Sequence, residues 1–283
     1  MPALRLLSAA VLLSAAALAP AAPNPVPAER DRPPVLKVLV IDGAPRWEYR
    51  HLRTLLERQG EKSPFDPRFL LLSAEPGSLD ADKHALRALP DKATLDRFEV
   101  VILGDVAAKD LKGQAMQELA TFVTVRGGGL VVVAGPHECP HGWKNSDLED
   151  VLPIRLGERP KPPEEQTKGY RPVLTETGKK HPAFAFKPDT DDEVTWDKLP
   201  EMYGWAAGYR AKAGAEVLAV HPSEKTEAGD PLPLVVQQRV GKGTCVFVGF
   251  DETWRWRLRT TGGWHQHFWT ALLQASAPPR GPG

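Results

Sequence analysis

The stretch Val35-Leu36-Lys37-Val38-Leu39-Val40-Ile41-Asp42-Gly43 sets the architecture. A near-continuous apolar run closed by Asp-Gly is the pattern of a strand buried on both faces, as in a parallel sheet covered by helices. From Trp47 to Gln59, Tyr49, Leu52, Leu55, Leu56 and Gln59 recur at helical spacing before Gly60, which predicts a helix. Arg68 to Leu72 reads as a second strand, and Val100 to Leu103, ending in Gly104-Asp105, as a third. Lys112 to Arg126 predicts a helix with Met116, Leu119, Ala120 and Val123 on one face, stopped by Gly127-Gly128-Gly129. Leu130 to Val133 is a fourth strand, running into Ala134-Gly135-Pro136-His137. Alternation of this kind predicts an α/β fold with a mostly parallel sheet between helical layers.

The pattern then changes. Residues 153–200 are rich in Pro, Lys, Glu and Asp, and 153–233 reads as a loop-rich insertion, with Glu158 to Lys168 a solvated excursion. Val217–Val220 and Leu234–Gln238 read as strands, Gly241-Lys242-Gly243 as a hairpin turn, and Thr244–Gly249 as the returning strand. A helix from about Trp264 to Ala275 closes a domain spanning 35–276, and 277–283 reads as a disordered tail.

Charge narrows the function classes. The 36 Lys and Arg balance the 36 Asp and Glu, which argues against a nucleic-acid binder and against a polybasic membrane patch. At the N-terminus, Arg5 precedes an apolar or small run from Leu6 to Ala19 and an Ala19-Pro20-Ala21 site. This predicts a signal peptide over 1–21 and export to the periplasm or the extracellular space. An uncleaved anchor is the alternative, and the sole expected contact with a membrane. Residues 22–34 read as a Pro-rich tether.

Chemistry is sought beyond the carboxyl ends of the parallel strands, where open α/β sheets hold their ligands. Those ends deliver Asp42, Arg46, Trp47 and Glu48; Asp105; His137, Cys139, His141 and Trp143; and Asp251, Glu252, Trp254 and Arg255. Two readings stand: a polar ligand pocket with tryptophan faces, or an ion-pair network that only fixes the loops. Cys139, flanked by His137 and His141, is the one candidate nucleophile, since a thiol needs a neighbouring imidazole or positive charge to ionise at neutral pH. The same trio falls short of the four ligands of a structural zinc site. His265 and His267, about 200° apart on a helix, do not complete it. No metal and no cofactor is expected. An oxidising compartment permits a Cys139–Cys245 disulfide, whereas Cys245 inside Thr244–Val248 reads as a buried thiol. Gly127–Gly129 precedes a strand, so it is not a phosphate cradle, and there is no G-x-S-x-G elbow.

The segments Lys37–Arg50, Val101–Asp105, Gly127–Leu130, Ala134–Pro136 and Gly249–Arg257 together resemble the glutamine-amidotransferase-like family of the class I glutamine amidotransferase superfamily. The resemblance covers roughly residues 35–275. It implies a flavodoxin-like three-layer α/β/α sandwich and bacterial exported or membrane-anchored proteins, sometimes with von Willebrand type A modules. A more distant resemblance is to trehalose-utilisation-type proteins on the same fold. Active amidotransferases carry cysteine in a G-x-C-x-G elbow and a His-x-Glu downstream. Neither motif is present here, so no catalytic role transfers and glutamine hydrolysis is not expected. The expectation is a non-catalytic domain that binds a small polar ligand or an envelope protein at its strand ends. The alternatives are a Cys139-dependent hydrolase or transferase, and a structural module of an envelope assembly.

Overall fold

The computed structural model describes residues 35–58, 63–75, 77–111, 114–160, 168–186, 194–258 and 262–279. The signal peptide and tether expected over 1–34 lie outside these, as do residues 161–167 of the solvated excursion and 280–283 of the tail.

The chain forms a three-layer α/β/α sandwich. Its elements in order are β1 (Leu36–Asp42), α1 (Trp47–Glu57), β2 (Phe65–Leu71), α2 (Lys92–Leu95), β3 (Val100–Leu103), α3 (Ala115–Thr121), β4 (Gly129–Val133), α4 (Asp147–Val151), β5 (Ile154–Leu156), β6 (Val173–Leu174), α5 (Glu176–Lys180), β7 (Tyr209–Ala211), β8 (Glu216–Lys225), β9 (Pro231–Val240), β10 (Gly243–Val248) and α6 (Gly263–Ser276). The main sheet has eight strands in the order β2-β1-β3-β4-β10-β9-β8-β6, while β5 and β7 form a separate two-stranded ribbon. Pairing is parallel from β2 through β10 and antiparallel from β10 to β6.

The opening apolar run behaves as its composition dictates. Every β1 residue except Lys37 is buried, because β1 lies between β2 and β3 and under helices on both faces. Val38–Ile41, Val100–Leu103 and Leu130–Val133 are at most 1% exposed. α6 covers β4 and β10 with Phe268, Trp269, Leu272 and Leu273, all fully buried. Each such side chain contributes about 1.5–3 kcal/mol of burial.

Boundaries differ where backbone pairing outruns the apolar pattern. β2 begins at Phe65, upstream of Arg68, and contains Pro67, which an edge strand tolerates because its missing N–H faces outward. β8 and β9 are ten residues each, extended by exposed Ser223, Glu224 and Lys225 that no hydrophobic periodicity marks. The described part of 153–233 holds β5 to β8 and α5 between its loops. Its strands β6 and β8 extend the main sheet, and its Thr175-capped α5 packs on β8. α3 opens at Ala115, and its last turn is wider, a π-type turn over Phe122–Arg126. It stops at Gly127, whose φ of 91° an L side chain rarely adopts.

Candidate functional site

Because β1, β3, β4 and β10 are parallel, their carboxyl ends share one rim, and Asp42, Asp105, Ala134 and Asp251 meet there. Arg46, immediately before α1, is the hub. Its Nε and Nη2 fork onto Asp42 Oδ1 and Oδ2 at 3.2 and 2.8 Å. Its Nη1 donates to Asp251 Oδ2 at 2.6 Å and to the Ala134 carbonyl at 3.2 Å. The arginine side chain is only 10% exposed, against 4% for Asp42 and 25% for Asp251. Burial raises the pKa of both aspartates and outweighs the guanidinium that pulls them down. Burial also opposes the charge on Arg46, yet the two carboxylates hold its pKa above the ordinary range. The packing leaves no slack, since a Cβ at Gly104 would stand 2.2 Å from Asp42 Oδ2 and 2.7 Å from Arg46 Nη2.

Asp105 is spent on backbone. Its Oδ2 accepts the His137 amide at 2.9 Å, and its Oδ1 accepts those of Glu138 and Cys139 at 2.7 and 2.8 Å. Three amides on one carboxylate fix the loop after β4. Inside that loop Cys139 is buried, and burial, reinforced by the Asp105 charge, pushes its thiol well above the ordinary cysteine range. His141 gives its Nε2 to the Ala207 carbonyl at 2.7 Å, and His137 is exposed. Among the described residues neither imidazole is hydrogen-bonded to the sulfur. The Cys139 nucleophile expected from sequence adjacency thus lacks both base and access. Cys139 and Cys245 are both free and buried, so they form no disulfide. Burial lifts the Cys245 thiol to about 12. Among the described residues no group of three His, Cys, Asp or Glu side chains is placed to hold a metal ion.

Glu48 is also buried. It accepts the Thr253 amide at 2.7 Å, the Thr253 hydroxyl and the Trp254 amide at 3.4 Å. Burial raises its pKa, but His265 and Thr253 more than offset this and leave the carboxyl below its ordinary value. Glu48 thereby ties α1 to the 3₁₀ turn Thr253–Arg257. Glu252 accepts the Tyr203 amide and, at 3.1 Å, the Gly204 amide. It also pairs with Arg255 Nη2 at 3.0 Å. Trp143, expected to offer a face to a ligand, is instead fully buried, its indole N–H donating to the Val106 carbonyl at 2.8 Å.

What stays accessible is aromatic. Trp47 is 61% exposed. Its ring stands 5.8 Å from Trp254 and 6.1 Å from His51, and His51 lies almost parallel to Trp254 at 8°. Arg50 flanks Trp47 at 5.7 Å, while Arg255 lies over Trp254 at 4.7 Å and over Tyr203 at 4.9 Å. The structure therefore gathers Asp42, Arg46, Asp105, Asp251 and Ala134 into a closed polar knot. It gathers Trp47, Trp254 and Arg255 into an open platform beside that knot. His51, which no sequence motif marks, joins this platform, and Arg257 at the end of the Gly249–Arg257 segment reaches its Nδ1 with Nη1 at 2.8 Å. The one available signal was the i, i+4 spacing of Trp47 and His51 on α1.

No protein-family model matches the chain, and no curated protein does. Among solved structures it is similar to the cytoplasmic protein STM3548 of Salmonella typhimurium, with TM-score 0.57 and 18% identity over 86% of this chain and 100% of that one. The cytoplasmic protein STM1381 of Salmonella typhimurium LT2 gives 0.53 and 19% over the same shares. A ThuA-like protein of Parabacteroides merdae gives 0.46 and 14% over 88% of this chain and 93% of that one. At these identities the likeness to the two Salmonella proteins speaks to the fold alone.

Proposed function

We propose that this chain is an exported, non-catalytic binding domain of amidotransferase-like fold. It holds a small polar ligand or a protein partner against the aromatic platform at its strand-end rim. The observation that carries this reading is the pairing of an exposed Trp47 with a rim whose charges are already consumed. Asp42, Arg46, Asp105, Asp251 and Glu48 satisfy one another or nearby amides. They orient the platform rather than contact the ligand. A flat ligand face, such as a pyranose ring or a peptide side chain, stacks on indoles with the arginines beside it.

The test is a titration of the mature chain with soluble oligosaccharides and peptides, followed by tryptophan fluorescence. Saturable quenching that Trp47→Ala abolishes is the expected result. Trp47 is mostly exposed, so its removal should cost less than about 1 kcal/mol of stability. Absence of any saturable response, or one that survives Trp47→Ala, refutes the platform.

A further inference from the structure

A second feature lies farther along α1. Trp47, His51, Thr54, Leu55 and Arg58 follow one another up one side of that helix. Beyond the aromatic platform, this side opens into a cleft of about 310 Å³ facing the start of α6. The cleft is lined by Thr54, Leu55, Arg58, Arg257, Gly262, His265 and Gln266. Among the described residues its lining contains two guanidiniums and no carboxylate. Among the described residues neither Arg58 nor Arg257 is in an ion pair, although the neighbouring Arg53 is held by Glu57 and Asp82. His265 is 1% exposed, and among the described residues its Nε2 has no hydrogen-bond partner, the Glu48 Oε1 lying 3.8 Å away. Glu48 accepts from Thr253 and Trp254 and lies behind His265, outside the described lining of the cleft. The fourteen-residue α6 begins here after Gly262, a residue with no side chain to cap it, and its positive end faces the same space.

We propose that this cleft is an oxyanion site, taking a ligand that bears a phosphate, sulfate or carboxylate group. Arg58 and Arg257 supply the charge and forked donors that suit such a group. Gln266 adds a neutral donor beside them, and the cleft volume admits the anion with a few further atoms. Arg257 also meets His51 of the aromatic platform at 2.8 Å, so the two sites adjoin.

The experiment is calorimetric titration of the full chain with inorganic phosphate, and then with sulfate and acetate to rank the anions. In parallel, amide shifts at Gly262, His265 and Gln266 are followed by NMR. Saturable binding near roughly millimolar, weakening with added salt, is expected. Arg58→Gln and Arg257→Gln should each weaken it about tenfold or more. Should either arginine variant melt early, the wild-type shifts at the three named amides still decide the matter. No saturable binding of any of the three anions overturns the proposal. So does binding that both arginine variants retain, or shifts that fall elsewhere.

Discussion

Replacing Arg46 by alanine is the most direct trial of the polar knot. The guanidinium makes four hydrogen bonds, two to Asp42, one to Asp251 and one to the Ala134 carbonyl, and is only 10% exposed. Removing one partner of a buried ion pair costs about 3–5 kcal/mol, mostly because the other charge stays buried without compensation. Asp42 stands at that limit, whereas Asp251 is 25% exposed and can recruit water, so the lower part of the range, about 3–4 kcal/mol, applies. In a domain of this size that is a fall in Tm of roughly 6–16 °C, readable by circular dichroism with urea titration alongside. The loss should also depend on pH. Both aspartates already have folded pKa values above their ordinary one, and removing Arg46 lifts them further. A carboxyl with a raised folded pKa destabilises the fold above that pKa and ceases to do so as pH falls through it. The deficit of Arg46→Ala should therefore shrink as the pH is lowered from 7 towards the ordinary aspartate range. A deficit within about 0.5 kcal/mol of wild type, or one that grows on acidification, would refute the reasoning.

Two further outcomes follow from the rim. Asp105→Ala strips three amides of their acceptor; because His137 is exposed and water can reach part of the loop, the cost should be about 2 kcal/mol. Amide exchange at His137, Glu138 and Cys139 should accelerate while β3 and β4 keep their protection, and unchanged exchange at those three positions would sink the assignment. Cys139, buried with its thiol pushed up, should resist alkylation in the native protein at pH 8 and react only in denaturant, followed by intact mass. Native labelling at the rate of an unstructured thiol would contradict the burial.

The sheet was readable because buried parallel strands advertise themselves. The runs of β1, β3, β4 and β10 are apolar on both faces, and their Gly and Asp terminators mark the rim. The helices α1 and α6 followed from spacing for the same reason. What the sequence concealed is who faces whom. Arg46, Asp42 and Asp251 carry the same residue types whether they greet a ligand or one another, and only the 2.6–3.2 Å separations decide it. Adjacency misled at Cys139, since the turn held by Asp105 sends the sulfur inward while its histidine neighbours go elsewhere. Trp143 misled likewise, because a large aromatic on a loop after a strand can cap the core as readily as a pocket. The length of β8 and β9 escaped notice because exposed polar strands owe their form to backbone pairing and leave little trace in hydropathy.

The pairing of β4 with β10 has a consequence for how the chain comes into being. Leu130 sits opposite Cys245, a partner made more than a hundred residues later. Until then β4 presents Leu130-Val131-Val132-Val133 as an unsatisfied edge, the kind of surface that templates association between chains. The β9–β10 hairpin, joined by a tight turn, can assemble locally and then dock, so that sealing the sheet is a late and non-local event. A polypeptide stopped short of Gly243 would then not be a smaller version of this domain but a sticky one.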